Sequence, residues 1–148
     1  MSTYKQIFYQ IVFGTKNRKP TINIDAERLL YGYIHSIIKN KNCHLYQING
    51  TDDHIHIMSD LHPSVCLSDY VKDIKVASNT WMKDCGKFPA FEGWQNGYGA
   101  FTYSIREKDN IINYIRNQKE HHKSESFHDE FRRLLIENEI EFDEKYLL

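Results

Sequence analysis

The chain has 148 residues, a hydrophobic content of 41% and a formal net charge of −1. This length suits one domain with its own hydrophobic core, so we expect residues 1–148 to form a single domain. The small net charge argues against a protein that coats nucleic acid without specificity, because such binding needs a large excess of Lys and Arg. Neither a bilayer-spanning apolar stretch nor a signal peptide is apparent, which predicts a cytoplasmic protein without membrane contact.

The first predicted element is a strand over residues 6–13, where aromatic and β-branched side chains alternate. Because apolar residues occur on both of its faces, we expect this strand to be central in a sheet. Asp25 is a predicted cap for the helix that follows. That helix has apolar residues at three- and four-residue spacing and is expected to end near Lys41.

Residues 44–49 and 53–61 are the next two strand-like runs. The intervening residues, Gly50, Thr51 and Asp52, are common in turns. The two runs are therefore predicted to form a β-hairpin.

A second helix is predicted from the cap residue Ser68, followed by a fourth strand over residues 100–105. Helical spacing then predicts a helix over residues 107–118, and Ser126 begins a last amphipathic helix.

The resulting order, β-α-β-β-α-β followed by helices, is the split β-α-β pattern of ferredoxin-like folds. It predicts an α+β sandwich with an antiparallel sheet and two helices on one face. A helix bearing Tyr114 and a C-terminal helix complete the fold. The other face of the sheet is expected to be free for function.

His54 and His56 are the first candidate site residues, because they lie two apart in a predicted strand. Side chains alternate along a strand, so Ile55 and Ile57 are expected to face the core while both imidazoles project from the opposite face. Two parallel neutral imidazoles form half of a metal site. Considered alone, the triplet is equally compatible with two surface histidines.

Tyr114 and Gln118 are spaced i and i+4, so they lie one turn apart on one helix face. If that helix reaches the free sheet face, Gln118 supplies a third neutral ligand and Tyr114 an oxygen nucleophile. Such a ligand set would leave a divalent ion its full positive charge. A tyrosine packed on the sheet beside a surface glutamine is the alternative, and His121 is a further candidate to replace or join Gln118.

The tyrosine needs help to act as a nucleophile, because an unperturbed phenol has a pKa of about 10. A metal ion or a nearby lysine would have to favour the phenolate. Lys119 and Lys123 are the candidates that the sequence offers.

Several segments resemble the single-tyrosine HUH transposases of the TnpA type, an IS200-like family that mobilises insertion sequences as single-stranded DNA. His54-Ile55-His56 is similar to the family's histidine, bulky hydrophobe, histidine motif. Residues 114–118 (YIRNQ) are similar to its tyrosine helix, and residues 94–101 (WQNGYGAF) and 142–147 (FDEKYL) resemble two further family segments. The resemblance covers almost the whole chain.

The resemblance implies a homodimer that recognises DNA hairpins and nicks the flanking single strand with Mg²⁺ or Mn²⁺. Tyr114 would carry a 5′-phosphotyrosine, while His54, His56 and Gln118 would bind the metal. The histidine pair of one subunit would work with the tyrosine helix of the other. Rejoining would follow when another DNA end reverses the reaction.

Two other functions are compatible with these residues. One is a DNA- or RNA-hairpin-binding module that keeps the fold and no longer cuts. The other is a metal-dependent phosphodiester hydrolase that uses water, for which Tyr114 would be incidental.

Three lysines on or just after the second predicted helix are candidates for contacts with hairpin phosphates: Lys72, Lys75 and Lys83. Phosphate contacts of this kind make DNA affinity fall steeply with salt.

Overall fold

The computed structural model describes residues 2–147 and is built on one four-stranded antiparallel sheet with strand order β2-β3-β1-β4. The strands are β1 (Phe8–Gly14), β2 (Leu45–Gly50), β3 (His54–Asp60) and β4 (Gly99–Thr102). This order confirms the predicted α+β split sandwich, with β1 in the interior of the sheet.

Five α-helices accompany the sheet in the described part of the chain. They are α1 (Glu27–Asn40), α2 (Leu67–Asp84), α3 (Lys108–Arg116), α4 (Gln118–His121) and α5 (Phe127–Glu137). Within residues 2–147, none of the helices is both long and apolar enough to cross a bilayer.

The first face of the sheet carries the larger hydrophobic core. Ile55 and Ile57 of β3 pack there with Ile34 of α1 and Ile74 of α2, and all four are buried. The predicted inward direction of Ile55 and Ile57 is therefore confirmed.

The second face of the sheet is covered, so the expectation of a free face is wrong. Phe127 and Phe131 of α5 pack against Val12 of β1 and Phe101 of β4. Ile115 of α3 joins a further cluster on the same layer. The apolar stripe of α5 removes its own surface from water by lying on this face, which buries the histidines beneath it.

The strand register sets the position of the histidine pair on the second face. His56 lies opposite Val12 and His54 lies opposite Gly14. Gly14 allows close packing here, because a Cβ at this position would overlap the side chains of Gln95 and Phe127.

Several local predictions differ from the structure. The fourth strand, predicted over residues 100–105, ends at Thr102. Helix α1 begins after Ala26 rather than at a cap formed by Asp25, and α2 begins after Cys66, which leaves Ser68 inside the helix. The helix predicted over residues 107–118 ends at Arg116, because Asn117 leaves helical geometry before α4 begins. Ser126, by contrast, caps α5 as predicted by accepting a hydrogen bond from a backbone amide.

Candidate metal and tyrosine site

A buried polar cluster lies between β3 and the helices of the second face. His54, His56, Gln118 and Glu130 are each 0% exposed. The first two come from β3, Gln118 begins α4, and Glu130 lies on α5. The alternative of surface histidines on a half-exposed strand is therefore wrong.

Three imidazole nitrogens converge on one oxygen of Glu130. The distance from Glu130 Oε1 is 3.0 Å to His56 Nε2, 2.9 Å to His122 Nε2 and 3.3 Å to His54 Nε2. His122 follows α4 and is the fourth member of a group whose ligand atoms all lie within 4.8 Å of one another. The carboxylate thus contributes the negative charge that the sequence-based ligand set lacked.

Gln118 and Tyr114 reach the same cluster from the segment that follows β4. Gln118 Oε1 lies 3.0 Å from His54 Nε2 and its amide nitrogen donates to Glu130 Oε2 at 2.9 Å. The Tyr114 hydroxyl also donates to Glu130 Oε2. One chain therefore brings together His54, His56, Tyr114 and Gln118 despite the break at Asn117.

Arg133 is the cation that contacts the tyrosine. Its Nη2 donates to the Tyr114 hydroxyl oxygen at 2.8 Å, while its Nε donates to Glu125 and its Nη1 to Glu137. The expected lysines lie elsewhere: Lys119 pairs with Glu27 and Lys123 with Glu120. Arginine suits this position because it stays charged and can donate to several acceptors at once.

Neighbouring polar groups orient both rings of the histidine pair. His54 Nδ1 lies 2.7 Å from Asp53 Oδ1, so its Nε2 is directed at the cluster. His56 Nδ1 lies 3.0 Å from the Gln10 amide nitrogen, and the Gln10 oxygen accepts a hydrogen bond from Tyr103. Such outer contacts fix the ring orientation of metal-binding histidines.

The burial and charge of the cluster shift several pKa values. Burial opposes protonation of His54, but its hydrogen bonds to Asp53 and Glu130 outweigh that cost and raise the pKa of His54 to about 9. Burial lowers the pKa of His56 to about 4, even beside Glu130. Burial would raise the pKa of the Glu130 carboxyl, yet the surrounding imidazoles hold it far below its usual range.

The pKa of Tyr114 is raised well above the ordinary value of a phenol. Burial is the main cause, and the negative charge of Glu130 adds to it. Arg133 opposes both effects. The tyrosine therefore retains its proton in the absence of further positive charge.

A cleft of about 640 Å³ opens beside the cluster. Its lining includes His122, Phe127, Asp53 and Lys119. Phe127 also stacks on His54, with ring centroids 4.2 Å apart and an interplanar angle of 7°. The cleft thus approaches the histidine pair from the side of His122 and Phe127.

The donor set of the cluster fits a divalent metal ion. Imidazole nitrogens and a carboxylate oxygen are ligands for Mn²⁺ and later transition metals, and the Gln118 oxygen offers a further oxygen ligand. His54, with Nδ1 directed at Asp53, turns Nε2 toward two oxygens, those of Gln118 and Glu130. A divalent cation bound by these atoms would take the place of the proton that His54 Nε2 otherwise donates to the two oxygens.

The comparison with known protein families agrees with the motifs. The sequence model described as "Transposase IS200 like" matches residues 3–118. The chain belongs to the IS200-like transposase family. Two relatives named transposase for insertion sequence element IS200, from Salmonella typhimurium and Salmonella typhi, are each 25% identical over 120 residues and cover 78% of both chains. The predicted family is therefore confirmed, and the protein is a transposase.

Two solved structures share the fold of this IS200-like transposase. A protein from Deinococcus radiodurans assigned as a transposase superposes with a TM-score of 0.62 at 24% identity, over 80% of this chain and 95% of its own. A REP-associated tyrosine transposase bound to a REP hairpin gives a TM-score of 0.61 at 15% identity, over 82% and 74% of the two chains.

Sequence reasoning missed Glu130, His122 and Arg133 of this transposase. A signal for Glu130 was present, because it lies three residues after Phe127 and one before Phe131, on the apolar face of α5. A carboxylate on a buried helix face requires partners, which the histidines provide. His122 rather than His121 joins the histidine pair, since the His121 ring binds Glu125 instead.

The three predicted DNA-binding lysines lie apart from this cluster. Lys72, Lys75 and Lys83 belong to α2, which packs on the first face of the sheet. Lys72 and Lys83 are exposed. Lys75 is half-buried, and its ammonium group donates to the backbone oxygens of Gln95 and Gly97 at 2.7 and 2.8 Å.

Proposed function

We propose that this IS200-like transposase nicks and rejoins single-stranded DNA at insertion-sequence ends through a 5′-phosphotyrosine on Tyr114. The observation that carries the proposal is the position of the Tyr114 hydroxyl, which shares the Glu130 carboxylate with the histidine pair and Gln118. A tyrosine hydroxyl that is contacted by an arginine and lies beside a metal-type donor set suits phosphoryl transfer through a covalent intermediate. We further propose that residues 1–148 act as one nuclease domain in the cytoplasm.

In the proposed reaction the Tyr114 oxygen attacks the phosphorus of a phosphodiester. A bond forms between this oxygen and phosphorus, and the bond from phosphorus to the 3′ oxygen breaks. The phenol proton is lost to water as the new bond forms, because the lowered pKa of Glu130 makes that carboxylate a weak proton acceptor, and the departing 3′ oxygen takes a proton from water to become a hydroxyl. Attack by another 3′-hydroxyl reverses these steps and joins two DNA ends without nucleotide hydrolysis.

Arg133 and the metal ligands supply the positive charge in this proposal. The Arg133 guanidinium donates to the attacking oxygen and offsets the burial that raises the pKa of Tyr114. His54, His56 and Gln118 would hold a divalent ion, Mg²⁺ or Mn²⁺. When bound, the ion would polarise a phosphate oxygen.

We propose hairpin DNA as the substrate, with Lys72, Lys75 and Lys83 as phosphate contacts. The REP-associated relative was solved with a REP hairpin, which supports this choice. Replacing a phosphate-binding lysine by Gln should reduce the slope of log affinity against log salt concentration by about one. Lys39→Gln is a suitable control, since Lys39 is exposed on α1.

We also propose a homodimer with composite sites, as the resemblance implies. A mixture of His56→Ala and Tyr114→Phe subunits tests this directly, because neither variant has a complete site. Adduct formation by the mixture alone would support exchange of the tyrosine helix between subunits. An inactive mixture would favour the arrangement within one chain, where the His56 and Tyr114 rings lie 5.9 Å apart.

The nuclease proposal is tested by incubating the protein with labelled single-stranded hairpin DNA and Mg²⁺ or Mn²⁺. We expect a covalent protein–DNA adduct that survives denaturing electrophoresis, lost in Tyr114→Phe and retained in the control Tyr146→Phe. Tyr146 is 72% exposed and distant from the cluster in sequence. Cleavage by Tyr114→Phe without an adduct would favour a hydrolase, and hairpin binding without cleavage under either metal would favour a binding module.

A further inference from the structure

The C-terminal part of the chain adds two metal-type ligands to the site. The family match ends at residue 118, whereas His122 and Glu130 lie beyond it. Both side chains nevertheless belong to the group formed with His54 and His56. This segment therefore does more than cover the sheet, because it changes the donor set around the histidine pair.

The distances from Glu130 to the three imidazoles are close to those within a metal coordination sphere. Ligand atoms about 2.0–2.1 Å from a tetrahedral metal ion are about 3.3 Å from one another. Glu130 Oε1 lies 2.9–3.3 Å from the three imidazole Nε2 atoms. Only small side-chain adjustments would be needed to place an ion between all four atoms.

Polar contacts at Nδ1 of His54 and His56 leave the Nε2 atoms of both rings directed at Glu130. Asp53 binds Nδ1 of His54, and Gln10 binds Nδ1 of His56. A metal-bound His56 must carry its proton on Nδ1, so the Gln10 amide would then turn its oxygen toward this ring. The hydroxyl of Tyr103, which contacts the same amide, can accept as well as donate and therefore permits this reversal.

We propose that Glu130 and His122 are direct ligands of the catalytic metal, together with His54 and His56. This inference rests on the proposed nuclease function for the role of the ion. The resulting set of three imidazoles and one carboxylate, with the Gln118 oxygen as a fifth donor, selects Mn²⁺, Co²⁺ or Zn²⁺ over Mg²⁺.

The selectivity follows from the chemistry of the ligands. Mg²⁺ prefers six oxygen ligands and retains several waters, whereas imidazole binds later divalent metals more tightly. The Glu130 carboxylate adds affinity through its charge and reduces the net charge of the bound site from +2 to +1. The chain thus binds its ion more tightly and polarises a phosphate less strongly than a neutral ligand set would.

The experiment measures metal binding on tag-free, metal-stripped protein without DNA. Co²⁺ is titrated while its visible absorption is recorded, and Mn²⁺ and Mg²⁺ are tested by competition. We expect Glu130→Gln and His122→Ala each to weaken Co²⁺ binding by at least about 100-fold, because loss of even an outer contact costs 10–100-fold. Asp129→Asn and His35→Ala are the matched controls, since both side chains are exposed, and they should stay within about twofold of wild type.

A second measurement keeps the proposal testable if a variant folds poorly. Pulsed EPR of Cu²⁺-loaded wild-type protein should detect three coordinated imidazoles. Two imidazoles, or Co²⁺ affinity unchanged by Glu130→Gln, would overturn the assignment. Because neither readout needs DNA cleavage, a protein that binds Co²⁺ as expected and forms no adduct would contradict the proposed nuclease function alone.

Discussion

Replacing Arg133 by Met is expected to slow covalent attack by Tyr114 about tenfold at pH 7. Arg133 Nη2 donates to the tyrosine oxygen at 2.8 Å. A hydrogen bond to a charged group contributes about 1.5–3 kcal/mol, and we take the lower value because the guanidinium is 34% exposed. About 1.5 kcal/mol corresponds to roughly one pKa unit of the phenol, and hence to about a tenfold smaller phenolate fraction.

The assay is the initial rate of adduct formation at saturating hairpin DNA, which separates attack from DNA affinity. Arg132→Met is the matched control, since Arg132 carries the same charge on the same helix and pairs instead with Glu144. Urea unfolding of both variants accounts for the loss of ion pairs with Glu125 and Glu137. Equal rates for the two variants at saturating DNA would refute the role of Arg133 in stabilising the phenolate.

Three further predictions concern stability. Gly50→Ala should lower the free energy of unfolding in urea by more than about 2 kcal/mol, because its Cβ would overlap the backbone oxygen of His54. The control Gly32→Ala places its Cβ in open space on α1 and should raise that free energy by about 0.5–1 kcal/mol. Equal effects of the two substitutions would contradict this reasoning. Ser126→Ala should cost about 1 kcal/mol through loss of the α5 cap, and an unchanged urea midpoint would argue against it. In metal-free protein the raised pKa of His54 stabilises the fold below about pH 6.5, and this contribution is lost as the pH rises through 9. The free energy of unfolding should therefore fall by up to about 3 kcal/mol between these pH values. His54→Gln should flatten this dependence of the unfolding free energy on pH.

The elements that carry strong local patterns could be predicted from the sequence. In β3, Ile55 and Ile57 alternate with the two histidines, and this two-residue period predicted which side chains lie on each face of the sheet. The spacing of Tyr114 and Gln118 survived a break in the helix, because both side chains still reach Glu130.

The remaining part of the site depends on tertiary packing that no local pattern encodes. The position of α5 over the histidine pair follows from a hydrophobic cluster of residues far apart in the chain, among them Phe131 and Val12. Glu130 and Arg133 enter the site only through that packing. The choice of His122 over His121 depends likewise on the geometry after Asn117, where the chain departs from a continuous helix.

The central claim, that Tyr114 is the nucleophile, is tested most directly by mapping the DNA adduct. Trypsin releases residues 109–116 (DNIINYIR), in which Tyr114 is the one tyrosine. After reaction with hairpin DNA and nuclease trimming, mass spectrometry should find this peptide with a 5′-nucleotide attached through phosphate to Tyr114. An adduct on any other peptide would contradict the account. So would cleavage of the DNA with no modification of residues 109–116 in samples quenched during the reaction.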